Sequence, residues 1–255
     1  MPKYSDKTTL KSGFTLVEMS LVILIIGLLI GGTLAGRALL YSAKVRSALK
    51  DIEQIQTATI TFQEKYECLP GDCAHATKYF SGVTDGNGDE QIGVYGVSGY
   101  SEMWQFWYHL SMAGLFRGSY TGTQGSGGAN HAEVGVNVPA SKIGAGIGYT
   151  VLNWNGYTDN WNGWTSLGER TLTKHAILFG KSYLDAYPTF AQALTVMDAL
   201  SIDTKVDDGK PGTGNWIHLY PLVYPNCATT LSPTTAVYNT ATAGEACNFG
   251  IKTDF

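Results

Sequence analysis

The chain has 255 residues, 44% of them hydrophobic and only 15% charged, with a formal net charge of -4. Its 17 Lys and Arg are scattered, which gives no basic footprint for a specific nucleic-acid partner, and the length fits one main domain with an appendage. The 31 glycines, 15 tyrosines and 6 tryptophans fit a turn-rich, strand-containing extracellular domain better than a cytosolic helical enzyme.

Residues 1–13, MPKYSDKTTLKSG, set Lys3, Lys7 and Lys11 against the single acid Asp6. From Phe14 to Gly36 run 23 residues whose only charge is Glu18. That length spans a bilayer as a helix, and the basic flank keeps the N-terminus on the cytoplasmic side. The predicted helix continues past Gly36: Val45, Leu49, Ile52, Ile55, Thr59, Phe62 and Tyr66 recur every three or four residues, with Lys44, Lys50, Asp51, Glu53 and Glu64 between them. No proline interrupts residues 14 to 69. A helix from Phe14 to Tyr66 would be roughly 80 Å long. Gly27, Gly31, Gly32 and Gly36 form two small-xxx-small pairs, which permit close helix contact, although glycine is also simply frequent in membrane helices. A carboxylate inside such a run costs about 2.5 to 3.5 kcal/mol at mid-helix, so Glu18 needs a partner.

Gly13-Phe14-Thr15-Leu16-Val17-Glu18, behind a short basic leader and ahead of an apolar helix, resembles the cleavage and methylation motif of type IV prepilins and type II secretion pseudopilins. The resemblance covers residues 1 to 66. It implies that a prepilin peptidase cuts between Gly13 and Phe14 and that the new amine of Phe14 is N-methylated. It divides the chain into a leader (1–13), a transmembrane and filament-core helix (14–40), the amphipathic half of the same helix (41–66) and a pilin-like head (67–255). The implied partners are other pilin subunits, the prepilin peptidase and an inner-membrane assembly platform. The implied location is the inner membrane with the head in the periplasm, then a pilus or pseudopilus, with the cell surface as one destination. In this reading the Phe14 amine of a neighbouring subunit pairs with Glu18 in a water-poor bundle, where a charge pair is strong and an unpaired member costly. Many major pilins carry a proline about two-thirds along the apolar segment. Here the stretch reads Gly32-Thr33-Leu34-Ala35-Gly36, a departure that weakens the major-subunit reading and leaves minor pilin and pseudopilin as alternatives.

After the long helix, Glu67-Cys68-Leu69-Pro70-Gly71-Asp72-Cys73 reads as a helix stop and turn. The phrase from Lys65 to Asp72, KYxxLPGD, also resembles a subset of pilin-like proteins. The four cysteines Cys68, Cys73, Cys227 and Cys247 allow three connectivities. Local pairing is preferred because each pair closes a short loop, the second bridge contributing on the order of 3 kcal/mol. Zinc fits this spacing poorly.

Asp85-Gly86-Asn87-Gly88-Asp89-Glu90-Gln91-Ile92 places oxygen side chains at alternate positions, as in the first half of an EF-hand-like calcium loop. The predicted ligands are Asp85, Asn87, Asp89 and the Gln91 carbonyl, with Glu102 as the nearest closing carboxylate, since position twelve of the loop is Gly96. A solvated turn is the alternative. Further elements follow in order: a short helix from an N-cap at Ser101 to near Gly114, strands over 146–153, 174–179 and 216–220, and a helix over 189–200 opening at Thr189. A long helix packed on an antiparallel-sheet head gives an α+β fold class.

Between the first two strands, four aromatics interleave with amides, and Trp154, Tyr157, Trp161 and Trp164 are the candidate ligand-binding platform, for a sugar or another surface ligand, with folding back onto their own domain as the alternative. Asp203-Thr204-Lys205-Val206-Asp207-Asp208-Gly209 resembles a recurring segment of pilin-like heads. Asp203, Asp207 and Asp208 are the ligands of a second candidate calcium loop, with a capped turn as the alternative. No His pair has metal spacing, and no G-x-S-x-G, HExxH or Walker signature occurs, so the chain reads as a non-enzyme with calcium as its one candidate cofactor. The rival class is a membrane-anchored carbohydrate-binding protein.

Overall fold

The computed structural model describes residues 14–93, 102–128, 130–153, 175–182, 188–219 and 225–255. Helix α1 runs over Leu16–Tyr66, 51 residues. Proline is absent from it, and its polar interruptions satisfy themselves: the hydroxyls of Thr57, Thr59 and Thr61 donate to carbonyls four residues back. The chain divides into two compact units between Lys44 and Val45, and α1 contributes to both.

In the second unit, Val45, Ala48, Ile52, Ile55, Thr59, Phe62 and Tyr66 are buried at alternating steps of three and four, the stripe of a core-facing helix. Ala48 takes the place predicted for Leu49, which is half-buried. Helix α1 stops at Glu67, which adopts a left-handed φ of 58° while its amide donates to the Gln63 carbonyl at 2.8 Å.

A single 3-10 turn, Ala76–Lys78, precedes helix α2 (Glu102–Met112). Strands β1 (Ile147–Asn153) and β2 (His175–Lys181) follow, then β3 (Leu194–Thr195), helix α3 (Val196–Val206), β4 (Trp216–Ile217), β5 (Glu245–Cys247) and β6 (Phe249–Lys252). Among the described residues, one antiparallel sheet has the order β1-β2-β6-β4, and β3 pairs with β5 in a second. The register sets Tyr149 opposite Phe179, Ile177 opposite Ile251, and Trp216 opposite Ile251 on its other side. This is an α+β head. Strands β1 and β2 are buried over six residues each, which is why they read as nearly continuous apolar runs rather than alternating ones. Val45, Ala48 and Ile52 of α1 converge with Phe179, Ile202 and Trp216, while Trp104, Phe106, Trp107 and Leu110 of α2 fill the remaining core.

Two predicted elements require correction. The helix predicted over 189–200 is α3, at Val196–Val206. Thr189 does not cap it: this residue is fully buried, and its hydroxyl bonds Thr150 Oγ1 and the Leu178 carbonyl. The cap is Thr195, whose Oγ1 accepts from the Asp198 amide. The strand predicted over 216–220 ends at Ile217, because the amides of His218 and Leu219 turn to the Pro211 carbonyl and to Asn248 Oδ1. Tyr220 lies outside the described residues.

Candidate functional site

The first unit offers one apolar helical surface. Every side chain from Phe14 through Ala35 is exposed, Leu16 at 91% and Leu28 at 75%, and the most apolar window has a mean hydropathy of 2.3. A surface of this kind is stable only in lipid or against other apolar groups. A Cβ built on Gly27, Gly31, Gly32 or Gly36 meets nothing within 4 Å, so the fold of the single chain places no demand on these glycines.

At the front of this helix, the Thr15 amide and hydroxyl each donate to Glu18 Oε2 at 2.8 Å, and the Glu18 amide donates back to Thr15 Oγ1 at 3.2 Å. This is a reciprocal capping box, satisfying first-turn groups that an apolar environment would leave unpaired. Thr15 was not singled out from the sequence, although Thr-x-x-Glu ahead of an apolar run is the signal that finds it. The capping bonds use Oε2 alone. Phe14 is 80% exposed, and Gly13 lies outside the described residues with the rest of the leader.

The head carries two disulfides, Cys68–Cys73 and Cys227–Cys247, each with Cα atoms 5.1 Å apart. Inside the first ring, the Gly71 amide donates to His109 Nδ1 at 2.9 Å. A side chain at Gly71 would stand 2.3 Å from the Glu102 carbonyl oxygen, so the ring lies directly on the start of α2. Asp72, 2% exposed, accepts the amides of Gly88 and Asp89 on Oδ1 and of Glu90 on Oδ2.

Carboxylates therefore gather here, but not the full predicted set. Asp72, Asp89 and Glu102 bring ligand atoms within 4.8 Å of one another. Asp89 accepts the Gln91 amide and the Asn87 side-chain amide, and Glu102 accepts the amides of Asn87 and Gly93. Asp85 is held elsewhere by the amide and hydroxyl of Thr77, and the Gln91 side chain accepts from Asn153. Asp72 was missed as a cluster member because its sequence position, inside a turn phrase, marks it as a helix-stop residue. Burial raises the pKa of both Asp72 and Glu102 against the lowering effect of these amides. A hard divalent cation fits the chemistry of this all-oxygen donor set.

Asp203, Asp207 and Asp208 form a second group within 4.8 Å. Asp203 is fully buried and accepts the Tyr238 hydroxyl at 2.7 Å and the Gly209 amide at 3.3 Å. Asp207 accepts the amides of Asn215 and Trp216, and Asp208 accepts the Lys210 amide and the Thr213 hydroxyl. Burial pushes the Asp203 pKa up to about 6, helped by Asp207 and Asp208.

The aromatic platform of Trp154, Tyr157, Trp161 and Trp164 lies outside the described residues. Of the histidines, His109, His131, His175 and His218 bond to backbone groups: His175 Nε2 accepts the Ile92 amide, so its Nδ1 donates to the Phe255 carbonyl. His75 neighbours the two sulfurs of Cys68 and Cys73, which the disulfide removes as thiolate ligands. No family model, curated protein or solved structure matches this chain. What the chain itself displays is a pilin-like architecture, an exposed apolar N-terminal helix and an α+β head closed by two disulfides.

Proposed function

We propose that this chain is a prepilin-like subunit, cut between Gly13 and Phe14 by a prepilin peptidase and assembled through α1 into a pilus or pseudopilus. The observation carrying this reading is the exposed apolar surface from Phe14 to Ala35, with one carboxylate, Glu18, in its first turn. A membrane anchor explains the apolar length, and polymerisation explains the carboxylate. Cutting at Gly13 creates an amine at Phe14, and Glu18 Oε1, which the capping box does not use, faces that amine of a neighbouring subunit across an apolar bundle. The segment rests in the inner membrane before assembly, where an assembly platform extracts it into the filament. The two disulfides support an oxidising compartment for the head.

In this reading the head is an exposed surface module, and calcium bound by the Asp72 and Asp203 clusters rigidifies the loops that neighbouring subunits meet. The absence of proline between Phe14 and Leu69 favours a minor pilin or secretion pseudopilin over the bulk subunit. Intact-mass measurement of the chain from cells with an active prepilin peptidase tests the reading. A product starting at N-methyl-Phe14 is expected, and an intact Met1 terminus overturns it.

A further inference from the structure

Among the described residues, two non-glycine residues have a positive φ, Glu67 at 58° and Glu90 at 64°. Both abut the Cys68–Cys73 ring: Glu67 precedes Cys68, and the Glu90 amide is held by Asp72 inside the ring. Such backbone is unfavourable for a non-glycine residue and persists where surrounding structure enforces it. The ring is also a junction. Gly71 bonds His109 of α2, Asp72 holds three amides of loop 88–90, and the Cys73 carbonyl accepts the amides of Ala76 and Gly86.

The two disulfides differ in access. Cys227, Cys247 and Cys73 are fully buried, whereas Cys68 is half-buried and lines an open cavity of about 710 Å³ that Glu67, Asp72 and Glu90 also line. Of the four half-cystines, Cys68 is the one that is not fully buried and that lines this cavity, so the first bridge offers a thiolate more access than the second.

We propose that Cys68–Cys73 is a thiol-accessible redox clamp, opened by a dithiol reductant, whose opening releases the strained residues Glu67 and Glu90 and disperses the Asp72–Asp89–Glu102 cluster. The reductant thiolate attacks Cys68 Sγ, forming a mixed disulfide, and Cys73 leaves as a thiolate that takes up a proton. The second reductant thiol then displaces Cys68, so two electrons and two protons pass to the protein and the reductant becomes a disulfide. Ring opening removes the short-loop constraint on 68–73, leaving Glu67 free to extend and Asp72 free to leave the amides of 88–90.

The test uses the full chain in detergent micelles, treated with graded dithiothreitol under native conditions, quenched with iodoacetamide and mapped by mass spectrometry. Cys68 and Cys73 are expected to be alkylated at least about tenfold faster than Cys227 and Cys247. Hydrogen exchange over 84–92 is expected to speed up at least about tenfold in step, with the β1 and β2 amides still protected. Glu67→Gly and Glu90→Gly, which relieve the strain without touching the cysteines, are expected to slow opening severalfold. Equal alkylation of the two bridges, loss of protection in β1 and β2 alongside opening, unchanged exchange over 84–92, or unaltered opening in both glycine variants each overturns the proposal.

Discussion

His109 Nδ1 accepts the Gly71 amide at 2.9 Å, while its Nε2 faces the Thr84 carbonyl at 3.0 Å. The first contact requires an unprotonated Nδ1, so the second is a donation from Nε2 and the ring is neutral. The imidazole is fully buried, stacks on Phe62 at 6.1 Å and ties the disulfide ring to α2 and to the loop after it.

Burial lowers the His109 pKa to about 4, against the raising effects of the Thr84 carbonyl and Asp85. Because the folded value lies below the unfolded one near 6.5, its contribution is full above pH 6.5 and is lost as pH falls toward 4. The loss amounts to about 3 kcal/mol. Denaturant titrations of wild type and His109→Gln between pH 4 and 7 should converge on acidification by that amount. A constant difference between the two would refute a neutral buried ring.

Asp203 runs the other way. Its folded pKa of about 6 lies above the unfolded value near 3.8, so its contribution is present below pH 3.8 and lost as pH rises through 6. Asp203→Asn keeps an acceptor for Tyr238 and removes the charge. In calcium-free buffer at pH 7 it should stabilise the head by on the order of 2 kcal/mol relative to wild type, with the gain vanishing near pH 4. Equal destabilisation at both pH values would show that the Tyr238 hydrogen bond, not the buried charge, dominates.

Glycines in the two units should respond in opposite ways. Gly71→Ala puts a Cβ 2.3 Å from the Glu102 carbonyl oxygen at a φ of +86°, and should cost the head more than about 2 kcal/mol by thermal or urea unfolding. At Gly31 an added Cβ meets nothing within 4 Å, and Gly31→Leu should leave head stability unchanged while impairing incorporation into filaments. Normal incorporation of Gly31→Leu would remove the glycines from the helix-packing surface.

Two roles of Glu18 are separable by substitution. Glu18→Gln preserves a capping box with Thr15 but carries no charge, whereas Glu18→Val loses both. If charge pairing with the Phe14 amine drives assembly, both variants insert in the membrane and both assemble poorly in sheared-filament yields. Assembly by Glu18→Gln at the wild-type level would assign the residue to capping alone.

Calcium at the two carboxylate clusters predicts a melting temperature lowered by chelator and restored by calcium. At a hundredfold excess over the dissociation constant, one site contributes about 2.7 kcal/mol. Asp89→Ala should abolish the part of the shift belonging to the Asp72 cluster, and Asp207→Ala the part belonging to Asp203. No chelator effect would exclude calcium from both.

The sequence by itself determined what depends on local spacing and bulk polarity. The long helix, its apolar front, most of the buried stripe from Val45 to Tyr66 and the first two strands follow from periodicity and the absence of proline, whereas the sequence allows three cysteine connectivities and the fold joins Cys68 to Cys73 and Cys227 to Cys247. Tertiary structure decided what depends on residues distant in the chain meeting. Asp72 joins Asp89 and Glu102 because Gly71 packs on α2 and loop 88–90 wraps the Asp72 carboxylate, whereas Asp85 is drawn off to Thr77. Thr189 looked like a helix cap after Pro188, yet burial beside Thr150 gives its hydroxyl a better partner and leaves capping to Thr195. A side-chain oxygen goes where an unpaired buried donor needs it, and only the folded chain specifies which donors those are.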